Sequence, residues 1–275
     1  MGLKVFISAD IEGVAGVVSP LQTTPGASEY EMGRRLMTLE VNAAIEGALD
    51  AGADQIVVCD GHMNRQNLIP DLLHESARLV RGVRSGLQQM QGLDSSFDAV
   101  FVTGQHAAAG TQNAVLDHTW VGVSVYNLRI GGRVLNETCL NSVIADSHGV
   151  PTVLVTGDEA TIAQTKEYLS DIEGVVVKRS YSRYRAESVH PKVAAAMIRR
   201  GAASALGRLS EFRPRPSPDE LVMEIDFLRT DMADAAALVP GVERTSPRGV
   251  RYSAAPHLVF RMQELLLVRL KYDAA

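Results

Sequence analysis

Val5-Phe6-Ile7-Ser8-Ala9-Asp10-Ile11-Glu12-Gly13 stands at the head of the chain, and its reading decides the fold. Val5, Phe6 and Ile7 form an apolar run without polar alternation, the pattern of a strand buried on both faces. The run stops at two carboxylates, Asp10 and Glu12. In an extended chain positions i and i+2 point to one side, so the two acids repel unless a cation or a shared proton lies between them. Gly13 then supplies a tight turn. Taken alone, the stretch reads more simply as a polar loop at a strand end. Residues further along change that balance.

Downstream, Ser28 with Glu31 makes a capping box for a helix reaching about residue 50, with Met32, Leu36, Leu39, Val41, Ala44 and Ala48 mostly on one face. Ile56-Val57-Val58-Cys59 is the next buried strand, and Asp60-Gly61-His62 follows it directly. Strand, long helix, strand is a βαβ unit, which requires a parallel sheet. Helical segments are expected over 68–75 and 85–91, and a short strand over 79–82. Residues 97–102 form a third core strand, ending at Thr103-Gly104-Gln105-His106. Three strands thus deliver potential ligands just past their C-terminal ends, the edge at which open α/β sheets bind ligands.

The remainder reads as a hairpin over 121–135 around Gly131-Gly132, a helix over 140–148 entered through Asn136-Glu137, and strands over 152–156 and 175–177. Lys178, Arg179, Arg183 and Arg185 form a basic cluster after the last of these. His190-Pro191 starts an Ala-rich helix ending near residue 209, and Arg213-Pro214-Arg215-Pro216-Ser217-Pro218 is stiff, extended and linker-like by composition. Strands over 221–227 and 249–254, a short helix over 232–238 and a final helix from Pro256 to about residue 271 complete the chain. The expected class is α/β: a mostly parallel sheet flanked by helices over residues 1–185, which carries the metal-binding site, with a smaller α+β C-terminal domain over 186–275.

Composition sets limits on function. The chain has 275 residues, and a formal net charge of −5 argues against a nucleic-acid binder, whose footprint is basic. No apolar run approaches the ~18 residues of a membrane span, and the first residues lack the pattern of a signal peptide. Cys59 and Cys139 sit in apolar surroundings without C-x-x-C spacing, which favours buried reduced thiols and a cytoplasmic setting.

The chemistry rests on Asp10, Glu12, His62, His106 and Glu137. Two imidazoles and three carboxylates suit zinc, with manganese and cobalt as alternatives. Five protein ligands are too many for one tetrahedral catalytic zinc and the right number for two ions if one carboxylate bridges. Each residue has a plainer reading: a histidine at a strand end is commonly a solvated loop residue, Glu12 a surface charge, and Glu137 a partner of the helix dipole. The joint placement at one sheet edge is harder to dismiss.

With those residues in view, the chain resembles the zinc-dependent D-aminopeptidases of the dipeptide-transport-operon type. The resemblance is carried by Ser8-x-Asp10-x-Glu12-Gly13, by Asp60-Gly61-His62 with Asn67-Leu68, by Gly104-x-His106-Ala107, and by His118-Thr119. Glu137 with Asn141, and Val177-Lys178 followed by Arg183 and Pro191, extend it. It covers most of the chain and weakens after about residue 210. Asn136 departs from the glycine usual before the glutamate, and Asp117 occupies a position where members differ; neither removes a ligand. The resemblance implies two zinc ions per chain with Asp10 bridging them, Glu12 and His106 on one ion, and His62 and Glu137 on the other. It assigns His118 as the catalytic histidine rather than a ligand. It implies hydrolysis of the N-terminal residue of short peptides, with D-residues preferred, and a homodecamer of two stacked pentameric rings. A two-metal phosphoesterase or other amidohydrolase is the alternative within the same chemistry, with the basic cluster around Lys178 as a phosphate cradle. A metal-stabilised binding or assembly protein without turnover is a third reading; it would be marked by a missing ligand or a missing His118.

Overall fold

The computed structural model describes residues 2–82 and 87–270. In chain order β1 (Leu3–Ala9) leads through the short helix α1 (Pro20–Thr23) and the long α2 (Tyr30–Asp50) to β2 (Ala53–Asp60), β3 (Ala77–Val80) and β4 (Ala99–Gln105). The hairpin β5 (Val125–Ile130) and β6 (Arg133–Val134) precedes α3 (Glu137–Ser147), β7 (Thr152–Asp158), α4 (Glu159–Leu169), β8 (Glu173–Ser182) and β9 (Arg185–Ser188). The chain continues with α5 (Pro191–Gly207), β10 (Leu221–Phe227), α6 (Thr230–Ala236), β11 (Glu243–Ser246), β12 (Gly249–Ala254) and α7 (Pro256–Glu264).

Seven strands make the main sheet in the order β3-β2-β1-β4-β7-β8-β9, parallel throughout except for the antiparallel β8–β9 pair. The opening stretch lies at its centre: β1 pairs with β2 on one side and β4 on the other. Val5 and Ile7 join a core formed with α2 and α5, whereas Phe6 joins the core on the opposite face with Val100, Leu140 and the second sheet. Both faces of β1 are therefore covered, which is why its sequence does not alternate. The second sheet, antiparallel, runs β11-β12-β10-β5-β6. It joins the hairpin from the middle of the chain to the C-terminal strands, and α5 packs on α2.

Several local expectations are corrected. The capping box forms at Ser19 and Gln22 ahead of α1. Ser28 and Glu31 form none: α2 begins after Glu29 without a side-chain cap, and the amides of Glu29 and Tyr30 donate instead to the carbonyls of Leu21 in α1 and Ala27 in the preceding turn. The helix expected over 68–75 is loop with one 3-10 turn at Pro70–Leu72, because the residue before a proline is pushed to extended backbone and Ile69 lies at ψ 107°. The helix expected over 85–91 starts outside the described residues; within them there is a 3-10 turn at Gln88–Met90. The last helix passes from α7 into a wider π turn over Leu265–Arg269, and its expected end near residue 271 is outside the described residues. The linker-like run is extended but docked: Arg215 pairs with Asp146 at 2.6 Å and lies over the Tyr168 ring at 4.0 Å.

Candidate metal centre

The strand order changes direction between β1 and β4, so the loops leaving these two strands part and open a crevice at their C-terminal ends. The chain turns into this crevice under tight constraint. Asp10 and Gly13 donate backbone N–H bonds to Thr103 and Gly104 at 2.9 and 2.8 Å. A Cβ on Gly13 would lie 1.9 Å from the Gln105 carbonyl oxygen, and one on Gly104 would lie 2.1 Å from that of Asp10. Gly13 therefore serves close approach of two backbones rather than a left-handed turn. Gly104 serves both, with φ +66°.

Lys178 of β8 holds the same loop from below. Its buried Nζ donates to the carbonyls of Glu12, Val14 and Val17 at 2.5, 3.0 and 2.6 Å. Burial pulls its pKa down to about 8, against the opposing pull of Asp158, Glu40 and Glu12. Glu40 of α2, buried nearby, accepts from the Ala15 amide at 2.8 Å, and burial pushes its carboxyl up to about 7.

Within this frame Asp10, Glu12, His62, His106 and Glu137 converge, all at least nine-tenths buried. His62 Nδ1 lies 3.2 Å from Asp10 Oδ1 and 3.2 Å from Glu12 Oε2. His106 Nε2 lies 3.7 Å from Asp10 Oδ2 and 3.3 Å from Glu137 Oε1. The two oxygens of Asp10 thus face two different imidazoles. Ligand atoms of Asp10, Glu12 and His106 lie within 4.8 Å of one another, as do those of His106, His118 and Glu137.

Each histidine is anchored through the ring nitrogen that does not face the acids. His62 Nε2–H donates to the Thr23 carbonyl at 2.8 Å, His106 Nδ1–H to that of Ala107 at 3.1 Å, and His118 Nδ1–H to that of Leu116 at 2.8 Å. A carbonyl only accepts, so the anchored nitrogen carries a proton, and in the neutral ring the inward nitrogen keeps the lone pair. That is the arrangement of a metal-ligating imidazole. His106 Nε2 and Glu12 Oε2 are buried without a hydrogen-bond partner among the described residues, which a cation between them would cure. Burial alone would lower the His106 pKa, but Glu137, Glu12 and Asp10 reverse this and push it up to about 10. His62 is raised in the same way, by Glu12 and Asp10 acting against burial. The pocket therefore favours positive charge, and its donor set fits divalent metal.

His118 differs from the other two. It stacks on His106 with ring centroids 3.9 Å apart and planes 12° apart, its side chain is 21% exposed, and its Nε2 lies 3.8 Å from Glu137 Oε1. It comes from a loop in which Asn113, Leu116 and Trp120 take left-handed backbone, φ 53°, 51° and 57°, strain typical of functional segments. Arg183 braces that loop through Asp117. A cavity of about 510 Å³ opens over the cluster, lined by Asp10, Glu12, His62, His118 and Glu137 and walled by Met63, Trp120 and Val121.

Sequence reading missed the residues that orient these groups. Gln89 donates Nε2–H to Glu137 Oε2, while its own oxygen accepts from Asn141 Nδ2 at 2.6 Å. The Trp120 amide donates to Glu137 Oε1 at 2.7 Å. Nothing in a glutamine of a short 3-10 turn advertises such a role; only the spatial neighbour does. The basic cluster also changes meaning, because Lys178 is buried and committed to carbonyls and Arg183 is committed to Asp117.

The D-aminopeptidase family matches residues 3–264 of this sequence. The chain belongs to the D-aminopeptidase family. It is similar to a D-aminopeptidase of Bacillus subtilis (strain 168), 29% identical over 269 residues that cover 98% of this chain and 97% of the relative. It is also similar to a solved structure, at 28% identity and a TM-score of 0.95, over 99% of this chain and 100% of the other. That protein is described as the zinc-dependent D-aminopeptidase DppA from Bacillus subtilis, a self-compartmentalizing protease. The mixed α/β architecture is thus that of the D-aminopeptidases over the whole length, including the antiparallel second sheet. No helix among the described residues is long and apolar enough to cross a membrane.

Proposed function

We propose that this chain is a two-zinc aminopeptidase that hydrolyses the N-terminal residue, preferentially of D-configuration, from short peptides. The observation that carries the reading is the set of anchored imidazoles whose inward nitrogens face three buried carboxylates. Asp10 would be the ligand shared by both ions, since its two oxygens face His62 and His106 separately. Glu12 and His106 would serve one ion and His62 and Glu137 the other. Bound zinc supplies Lewis acidity and brings the pKa of a water towards ~7. The protein's own part is to fix the donors, to exclude bulk water with the apolar walls, and to present an imidazole that can move a proton.

His118 fills that last role. Its Nδ1 is occupied by the Leu116 carbonyl, so proton exchange runs through Nε2, which faces the cavity. General acid–base help of this kind is worth ~10²–10⁴ in rate. His118→Ala is expected to lose about that factor in kcat, with KM little changed and both zinc equivalents retained. Measuring kcat, KM and zinc on one preparation checks this; loss of a zinc equivalent would make His118 a ligand, and near-normal kcat would remove it from the chemistry.

The basic cluster that was the phosphate cradle of the phosphoesterase alternative is largely engaged elsewhere: Lys178 with backbone carbonyls, Arg183 with Asp117, and Arg179 with Glu159. The test of the whole reading is a zinc determination paired with D- and L-alanine p-nitroanilides and p-nitrophenyl phosphate. Release from the D-anilide at two zinc equivalents supports it; turnover of the phosphate ester alone overturns it.

We also infer a cytoplasmic homo-oligomer, a decamer of two pentameric rings. The self-compartmentalizing character described for the solved relative supports the assembly, and two buried thiols, both pushed up to about 12 by burial, suit a reducing compartment. Light scattering is expected to give about ten times the chain mass of 29.6 kDa. A monomer at micromolar concentration would exclude the ring.

A further inference from the structure

The loop between His62 and Leu68 carries a second feature, facing the same cavity. Asp60 closes the loop by accepting from the amides of Asn67 and Leu68 at 2.6 and 2.8 Å and from Asn67 Nδ2 at 2.8 Å. Inside it Met63 and Arg65 adopt left-handed backbone, φ 37° and 62°, which non-glycine residues hold only when the surroundings enforce it. Two bonds enforce it at Arg65: its amide donates to the His62 carbonyl and its carbonyl accepts from the Gly82 amide, each at 2.8 Å. The strained loop thereby sends the Arg65 side chain into the wall of the 510 Å³ cavity.

Arg65 is 4% exposed, yet its guanidinium is almost unserved. Its Nε is buried without a hydrogen-bond partner, and its Nη2 makes only a 3.4 Å contact with Gln88 Oε1. It has no carboxylate partner among the described residues, and residues 83–86 contain no acid. Arg183, the other guanidinium lining the cavity, is paired with Asp117. A buried guanidinium without a counter-ion is costly, and its planar fork matches a carboxylate. The cavity therefore places one unserved cation in the same space as the metal-ligand cluster, so a carboxylate on a short molecule reaching that cluster finds a matching partner.

We propose that Arg65 receives the C-terminal carboxylate of the substrate, so that the preferred substrates are unblocked peptides short enough to fit between the metal cluster and Arg65. The proposal rests on the aminopeptidase reading above. Peptides extended or amidated at the C-terminus lose the contact, and longer chains do not fit the cavity.

The test uses the zinc-loaded full-length protein and D-alanylglycine in which the peptide bond is reduced to a methyleneamine, which cannot be hydrolysed. Calorimetry compares the free acid with its carboxamide, and the one-glycine-longer pair in the same way. The wild type is expected to bind at least one acid ~10–100-fold more tightly than its amide. Arg65→Leu is expected to bring that acid to the affinity of the amide, and Arg65→Lys to restore part of the difference, since it keeps the charge without the fork. Equal binding of acid and amide by the wild type in both pairs overturns the proposal, and it is the outcome if a carboxylate of a neighbouring copy already occupies the guanidinium. An acid preference that survives in Arg65→Leu also overturns it. The wild-type comparison needs no variant, so a poorly folding Leu protein does not remove the test. Failure of the aminopeptidase reading is seen separately, as no hydrolysis of ordinary D-alanylglycine by the same preparation.

Discussion

Asp10→Asn is expected to strip the cluster of both metals and to lower kcat by more than the ~10²–10⁴ assigned to His118, because it removes what activates the water rather than only the help with its proton. The substitution keeps the shape of the side chain and removes one negative charge between two imidazoles. Asp10 Oδ1 accepts from the Ile11 amide at 2.9 Å and faces His62, while Oδ2 faces His106. An asparagine can keep the Ile11 bond through its oxygen, but its NH₂ must then point at His106 Nε2, where a metal needs a lone pair. The contrast is with Glu12→Gln, which in the proposed arrangement serves one ion only, grouped with Asp10 and His106, and is expected to lose one equivalent. Zinc determined on both variants after identical loading, together with kcat, separates them. If Asp10→Asn kept two zinc ions, Asp10 would not be the bridge.

Lys178→Met is expected to cost about 3–5 kcal/mol of stability, the scale for removing one member of a buried charged group and leaving its partners exposed to nothing. Methionine has the length to fill the space, so the loss is of hydrogen bonds and charge rather than volume. The carbonyls of Glu12, Val14 and Val17 would be left without their donor, and the buried Glu40 carboxyl would lose the neighbouring positive charge. The loop that carries Glu12 would then relax, and zinc affinity would fall with it. Urea unfolding of chelator-treated wild type and variant gives the stability term free of metal linkage, and a zinc titration gives the second. A difference below about 1 kcal/mol would mean that water replaces the ammonium and that Lys178 is not what shapes the loop.

Both expectations depend on features that differ in how far sequence reveals them. The central strand was legible, because a strand covered on both faces must be apolar at every position, and Val5, Phe6 and Ile7 are. The βαβ topology followed from the strand–helix–strand order, since parallel neighbours need a crossover. The convergence of Asp10, Glu12, His62 and His106 was legible for the same reason: parallel strands end on one edge, so residues just past each strand meet there. Glu137 joined them as the first residue of α3, a helix entered directly from the hairpin.

What sequence alone left open belongs to contacts between segments far apart in the chain. Whether Ser28 or Ser19 caps a helix depends on which amides already have partners, and the carbonyls of Leu21 and Ala27 supplied them at α2. Gly13 looked like a turn residue, while its true constraint is a backbone of β4 that leaves no room for a Cβ. A lysine after an apolar strand reads as a solvated charge; Lys178 is buried because three carbonyls, more than 160 positions earlier, turn inward to it. Gln89 and Arg65 carry no signature at all, since an amide or a guanidinium acquires its role only from what faces it. Periodicity reports the environment of an element's two faces, and so it determined the sheet and the edge where the acids and imidazoles gather. Hydrogen-bond partners and charge compensation are properties of pairs in space, and only the tertiary structure decided those.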